Sequence, residues 1–196
     1  MSATNRSEVR RVNDAYQTDP ALACVLTRLL LERGHVTTAS RVLEPSAGQG
    51  AFLRAAQHYL EPTVLHAVDV DDQSDRWHAV ASAWSVCRFE DFDELGWNVV
   101  IGNPPYADAR AHVEHALSLL EPGGVLAFLL RLAFLESRRR IDFWQRHPAE
   151  AVYVLAERPS FTGGGTDNCA YGWFVWRAGV RPRVTTLETI SWATSP

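Results

Sequence analysis

Asn103-Pro104-Pro105-Tyr106 stands directly after the apolar run Trp97-Asn98-Val99-Val100-Ile101-Gly102. The run reads as a buried strand, Gly102 frees the backbone at its end, and two prolines stop further regular structure. A residue before proline is driven towards an extended conformation, so Asn103 projects its amide from a stiff segment. Its side-chain oxygen and the Pro104 carbonyl can then aim at one small volume. Two fixed acceptors suit an incoming –NH2 group, and the Tyr106 ring beyond them can stack on the flat system that carries it. The same tetrapeptide also serves as plain loop chemistry, so its meaning depends on what precedes it.

Upstream, Arg41-Val42-Leu43-Glu44-Pro45 reads as a short buried strand and Ser46-Ala47-Gly48-Gln49-Gly50 as a turn. From Ala51 to about Leu60 a helix carries Phe52, Leu53, Ala56 and Tyr59. Strand, glycine turn and helix open a nucleotide-binding α/β unit. Small residues admit a ligand close to the backbone, and a helix N-terminus favours an anion. No third glycine follows as in a dinucleotide fingerprint, and no Lys-Ser or Lys-Thr closes the turn as in a P-loop. A second buried strand, Val64-Leu65-His66-Ala67-Val68, ends at Asp69-Val70-Asp71. An acid at such a tip, roughly 20 residues after the glycine turn, is where ribose hydroxyls are held. Ser85 to Phe89 reads as a third strand, leading to Glu90-Asp91-Phe92.

The flanks complete the frame. Met1 to about Asn13 is a polar arm, and Tyr16-Gln17-Thr18-Asp19-Pro20 opens a helix with Leu22, Val25, Leu26, Leu29 and Leu30 on one face. That segment is either only a well-capped helix start or a place where Tyr16 and Thr18 face a ligand. Beyond the Asn-Pro-Pro-Tyr segment come a helix from about Ala109 to Leu120, a Pro122-Gly123-Gly124 turn and a buried strand from Val125 to Leu130. An amphipathic helix is expected from Glu136 to His147. Its Arg138-Arg139-Arg140 is either a solvated face or a set of phosphate contacts. Ala151 to Leu155 and Ala170 to Trp176 read as a closing strand pair, with the glycine-rich stretch from Arg158 to Asp167 between them. The tail through Trp192 adds a strand or packs on the sheet. His112 and His115 lie one helical turn apart but lack a third ligand, so no metal is expected.

Taken together, Glu44-Pro45-Ser46-Ala47-Gly48-Gln49-Gly50-Ala51-Phe52 resembles the S-adenosylmethionine-binding motif of Rossmann-like methyltransferases. Asn103-Pro104-Pro105-Tyr106 resembles the motif of those that methylate planar amino groups. Over residues 16–176 the chain is similar to the N6-adenine DNA methyltransferases, in the small stand-alone form of phages and prophages. The resemblance implies a class I α/β fold with a seven-stranded, mostly parallel sheet, one antiparallel strand and helices on both faces. It implies S-adenosylmethionine as cofactor, held by Tyr16, Thr18, Glu44, Ser46, Ala47, Gly48, Gly50, Phe52, Asp69, Val70, Asp91, Phe92 and Asn103. Asp69 would take the ribose and Val70 the adenine, while Asp91 accepts from the adenine amino group and Phe92 covers its ring. Asn103, Pro104 and Tyr106 would be catalytic, and Pro105, Tyr106 and Phe161 would meet a base flipped out of DNA.

Composition bounds these expectations. The 196 residues suit a single catalytic domain, and the net charge of −4, with arginine as every basic residue, gives no bulk attraction to nucleic acid. A local arginine patch can still bind phosphates. No stretch approaches the roughly 18 apolar residues of a membrane span. The polar N-terminus lacks a signal-peptide core, and Cys24, Cys87 and Cys169 fit a reduced cytoplasmic setting. No separate target-recognition domain is expected, so specificity must be low, very short, or supplied by loops, a specificity subunit or a homodimer. Two alternatives stay open: methylation of a ribosomal RNA amino group or a protein glutamine amide, and a non-catalytic cofactor-binding partner of a specificity subunit.

Overall fold

Period-two burial along each strand sorts the apolar side chains into two layers. In the strand from Leu120 to Arg131, Val125, Ala127 and Leu129 enter one core cluster, and Leu126, Phe128 and Leu130 enter the other. A strand covered on both faces reads as a continuous apolar run, which is why sequence alone marks these segments so clearly. The computed structural model describes residues 17–37, 39–161 and 168–193.

In chain order the elements are α1 (Pro20–Glu32), β1 (Arg41–Glu44), α2 (Ala51–Leu60), β2 (Val64–Asp69), α3 (Ser74–Trp77), β3 (Ala83–Val86) and β4 (Trp97–Gly102). They continue as α4 (Ala109–Leu119), β5 (Leu120–Arg131), α5 (Ile141–Arg146), β6 (Ala151–Leu155), β7 (Tyr171–Arg177) and β8 (Thr186–Ile190). All eight strands form one sheet in the order β3-β2-β1-β4-β5-β7-β6-β8. Only β7 runs antiparallel, to β5 on one side and β6 on the other. The seven expected strands are present, and the tail adds β8 alongside β6 in parallel. Residues of α1, α2 and α3 pack in the first cluster with one sheet face, and residues of α4 and α5 pack in the second with the other.

Three local expectations shift. The third strand ends at Val86, and Phe89–Asp91 forms a 3-10 turn in place of its last residue. The helix expected from Glu136 is shorter: Ser137 takes φ 107°, Arg138–Arg140 form a 3-10 turn, and α5 begins only at Ile141. The short helix α3 carries Trp77 inward from a stretch otherwise too polar to show helical periodicity.

The amino edge of the sheet is closed by a polar network. His35 sits between Glu150, at 2.7 Å from Nδ1, and the Tyr153 hydroxyl, at 2.6 Å from Nε2. Arg177 donates to both Glu150 oxygens and to the His35 carbonyl. The strand-end residues expected to be functional, Glu44, Asp69 and Asn103, lie at the other edge, where parallel strands end and loops begin.

Gly124 marks how tightly β5 joins β4. Trp97 pairs with Leu120 and Val99 with Val125, so Glu121 to Gly124 bulge between them. A Cβ on Gly124 would lie 3.0 Å from the carbonyl oxygens of Glu121 and Trp97 and from Leu120 Cδ2. Backbone oxygens cannot swing aside, so Gly124→Ala is expected to lower stability by about 1–3 kcal/mol, read as a shifted urea midpoint at constant slope.

Candidate active site

β1 and β4 are adjacent and parallel, with Val42 beside Val99 and Leu43 beside Val100. Their carboxyl ends therefore deliver Glu44 and Asn103 to one place. Gly102 keeps the approach open: a Cβ there would meet Glu44 Cγ at 3.5 Å and Pro45 Cδ at 3.6 Å. Glu44 is 2% exposed, and its Oε2 has no hydrogen-bond partner among the described residues. The buried Asn103 Oδ1 is likewise without a partner among them. Leaving a buried acceptor unsatisfied costs about 1–3 kcal/mol, so two such atoms at neighbouring strand ends point to a ligand that satisfies them.

Thr18 faces the Asn103 amide. Asn103 Nδ2 donates to Thr18 Oγ1 at 3.1 Å, which turns Oδ1 away from the helix start. Just ahead of α1, Asp19 accepts from the Ala21 amide at 2.7 Å as the helix N-cap, so neighbouring residues Thr18 and Asp19 respectively reach the site and cap a helix. The Pro104 carbonyl meets no donor among the described residues. Pro105 holds φ −54°, and the following Tyr106–Asp108 turn is closed by Asp108 N–H on the Pro105 carbonyl at 3.2 Å.

The glycine turn is stiff. Gly48 and Gly50 take φ of 47° and 76°, a region that favours glycine, and nothing stands within 4 Å of a Cβ at Gly48. The Gly48 amide donates to Asp69 Oδ2 at 2.7 Å, and the Asp71 amide donates to Asp69 Oδ1 at 3.0 Å. Each oxygen keeps a lone pair for a further donor. Ala47 donates to the Val68 carbonyl, Gly50 to the Ala47 carbonyl, and Ser46 stays half-buried on the outer side of the turn. From below, Trp77 Nε1 donates to the Gly48 carbonyl at 2.9 Å. Trp77 was not foreseen; its only sequence signal is a lone tryptophan in a polar stretch.

The remaining expected residues divide. Val70 is 49% exposed at the tip of β2, and Asp91 is exposed at the end of its 3-10 turn. Phe52 and Phe92 turn inward instead. Phe52 stacks on Trp173 at 5.2 Å, and Phe92 packs on His66 at 5.0 Å while His115 Nε2 donates to its carbonyl at 2.8 Å. His112 and His115 serve this packing, their rings 5.3 and 4.7 Å from Phe89. Arg138 and Arg139 are exposed and make no side-chain hydrogen bond or ion pair among the described residues. Arg140 is tied to the Ala133 and Glu136 carbonyls. Tyr16 and the stretch 162–167 lie outside the described residues.

Aromatic rings build the wall beyond Asn103. Tyr106 lies 5.5 Å from Tyr171 and 6.4 Å from Phe161, and Phe161 lies 5.1 Å from Tyr171. The Arg131 guanidinium sits 5.0 Å over the Tyr106 ring, and its Nε donates to the Tyr171 hydroxyl at 3.3 Å. Arg131 and Tyr171 are cross-strand partners at the β5–β7 end, a pairing invisible until the antiparallel strand is placed.

No protein-family model matches this chain, and no curated protein matches it. Solved structures do. One is a candidate class I S-adenosylmethionine-dependent methyltransferase of Listeria monocytogenes, with a TM-score of 0.70 at 16% identity over 90% of this chain and 66% of that one. The fold is that of class I methyltransferases. A type I restriction-modification methyltransferase subunit of Streptococcus thermophilus gives a TM-score of 0.69 at 15% identity, over 91% of this chain and 48% of the subunit. A candidate RNA methyltransferase of Pyrococcus horikoshii gives 0.66 at 17% identity, over 84% and 88%. The chain thus spans just under two thirds of the first of these proteins and about half of the second. No helix among the described residues is long and apolar enough to cross a membrane.

Burial pushes the Glu44 carboxyl well above the usual carboxylate range; the charge of Asp69 adds to this, while the Leu53 backbone and Arg54 oppose it. A folded-state pKa above the unfolded one means the native state holds the extra proton. Its stabilising effect is complete below the ordinary carboxylate range and is lost as pH rises through the raised value. Glu44→Gln keeps the shape without the charge. It is expected to melt at a higher temperature than the wild type in ligand-free protein, the gap widening as pH rises from about 4.3, the ordinary glutamate value. Thermal melts of both proteins across pH test this.

Proposed function

We propose that this protein transfers the methyl group of S-adenosylmethionine to an exocyclic amino group, with N6 of adenine in DNA as the substrate. The observation that carries this is Asn103 Oδ1: buried, without a partner among the described residues, and held by Thr18 with its acceptor side free. The residues present fit the cofactor. Glu44 offers a buried carboxylate to an ammonium group, Gly48 leaves room beside its backbone, and Asp69 retains acceptor capacity for a ribose. Val70 and Asp91 stand at the ends where an adenine would lie, whereas Phe52 and Phe92 support the cradle from inside.

Bound there, the cofactor supplies an electrophilic methyl on a sulfonium. The chain's own work is positioning and charge stabilisation. An adenine amino nitrogen is a poor nucleophile because its lone pair is delocalised into the ring. Asn103 Oδ1 and the Pro104 carbonyl accept both of its hydrogens, favour a localised lone pair, and stabilise the positive charge that grows on nitrogen. Holding two reactants in line contributes as much as about 7–11 kcal/mol. The N–C bond would form as the S–CH3 bond breaks to leave a thioether, with one amino proton then released to water, so direct transfer requires no nucleophilic side chain.

A base inside a duplex must first be flipped out, at a few kcal/mol. Tyr106 offers a stacking face, with Phe161 and Tyr171 fixing its tilt, and aromatic stacking at roughly 1–3 kcal/mol per base offsets that cost. Arg138 and Arg139, exposed and unpaired among the described residues, are cations suited to phosphates. Methyltransferase subunits of restriction-modification systems share this fold, which supports DNA as substrate and a partner, either a specificity subunit or a second copy, as the source of sequence choice. A ribosomal RNA base or a glutamine amide offers the same –NH2 to the clamp.

Two variants separate the halves of the site. Asn103→Ala should abolish transfer of labelled methyl to duplex DNA while binding S-adenosylhomocysteine nearly as the wild type does. Glu44→Gln should weaken S-adenosylhomocysteine binding roughly tenfold or more, the loss of a hydrogen bond between charged groups. Calorimetric titration and a label-transfer assay on duplex DNA, single-stranded DNA, ribosomal RNA and a protein extract read both. Normal turnover by Asn103→Ala would sink the clamp. Label in RNA or protein alone would reassign the substrate.

A further inference from the structure

We infer that Thr18 is the positioning residue that sets the orientation of the Asn103 amide, and that an anion on the Thr18 hydroxyl locks this setting. The inference rests on the amino-group transfer proposed above. A hydroxyl both donates and accepts, so Thr18 alone can satisfy either orientation of the amide facing it. It accepts from Nδ2 in the arrangement observed at 3.1 Å. With the amide turned over, Thr18 would donate to Oδ1 and the NH2 would face the site. The two are nearly equivalent for Thr18 and opposite for the substrate: one presents an acceptor to the incoming amine, the other a second donor that repels it.

The Thr18 proton decides between them. It meets no acceptor among the described residues, so none of them commits it. Asn103 follows Gly102, which lies against Glu44, so Thr18 borders the cradle that would take the cofactor's amino-acid end. That end carries a carboxylate beside its ammonium. A carboxylate accepting the Thr18 proton leaves Oγ1 only as an acceptor, so Asn103 must then turn its NH2 to Thr18 and its oxygen to the substrate. The chain of bonds runs from anion to Thr18 O–H, from Thr18 Oγ1 to Asn103 Nδ2, and from Asn103 Oδ1 to the substrate N–H. Each link polarises the next. The accepting arrangement, already present without a ligand, is therefore the only one left once the methyl donor is in place. S-Adenosylhomocysteine retains the carboxylate, while 5′-methylthioadenosine lacks the whole amino-acid end, so the two ligands separate this relay from simple occupancy of the nucleoside site.

The test follows the Asn103 side-chain amide by nuclear magnetic resonance in nitrogen-15-labelled protein. S-Adenosylhomocysteine is expected to give a single sharp Asn103 NH2 pair with cross-peaks to Thr18, and 5′-methylthioadenosine is not. Thr18→Val should abolish the response, and Thr18→Ser should restore it. In turnover at saturating S-adenosylmethionine, Thr18→Val should lower kcat roughly tenfold or more, with Thr18→Ser recovering most of it. A Thr18→Val enzyme whose KM for the cofactor rises but whose kcat is regained at saturation would reduce Thr18 to a cofactor contact and overturn the relay. An equal response to 5′-methylthioadenosine would overturn it too. Should the wild type label no substrate at all, the amino-transfer reading fails, and the resonance of Asn103 still decides the role of Thr18.

Discussion

The parallel pairing of β1 with β4 is the constraint on which the site depends. It joins segments more than fifty residues apart so that Glu44 and Asn103 leave the sheet side by side. Neither residue could be unsatisfied at acceptable cost unless the ladder behind it were fixed. The apolar core provides that, since Val42, Val99 and Ile101 enter one layer and Leu43 and Val100 the other. Gly102 lies directly against Glu44, where an added Cβ would just touch Glu44 Cγ at 3.5 Å.

The two edges of the sheet are treated in opposite ways. At the amino edge, His35, Glu150, Tyr153 and Arg177 satisfy one another in a closed network. At the carboxyl edge, buried acceptors are left over, and rigidity comes from elsewhere: Trp77 under the glycine turn, two prolines after β4, and the packed rings of Tyr106, Phe161 and Tyr171. A stiff frame holding unsatisfied groups has little freedom to collapse onto them. That is the physical meaning of preorganisation here.

Much of this was legible in the sequence for a simple reason. Strands buried on both faces announce themselves as apolar runs, and glycine and proline mark where they stop, so the order of strands and the placing of Asn103 and the glycine turn followed directly. Side-chain direction at the turns was not legible. Phe52 and Phe92 occupy positions that a ligand-binding pattern would assign outward, yet the sheet faces beside them had room for rings, and both turned in. The contact between Thr18 and Asn103 spans 85 residues and leaves no periodic trace. Tyr171 and Arg131 became neighbours only because β7 runs against β5, which composition cannot reveal. The shortened helix near Arg138 reflects Ser137, whose φ of 107° breaks a run that charge and apolar spacing alone would continue.

Glu44 has a consequence for how a ligand enters and leaves. With the cradle empty, burial raises the Glu44 carboxyl well above the usual carboxylate range, so it holds a proton at any pH between that range and the raised value. With an ammonium group beside it, the carboxyl gives that proton up and keeps a cation instead. An ammonium ligand at such a carboxyl would exchange for its proton, so loading the site within that pH span would add no net charge to the core. Uptake of such a ligand within that span would displace hydrogen ion to solvent, and its heat would carry the ionisation enthalpy of whatever buffer receives it.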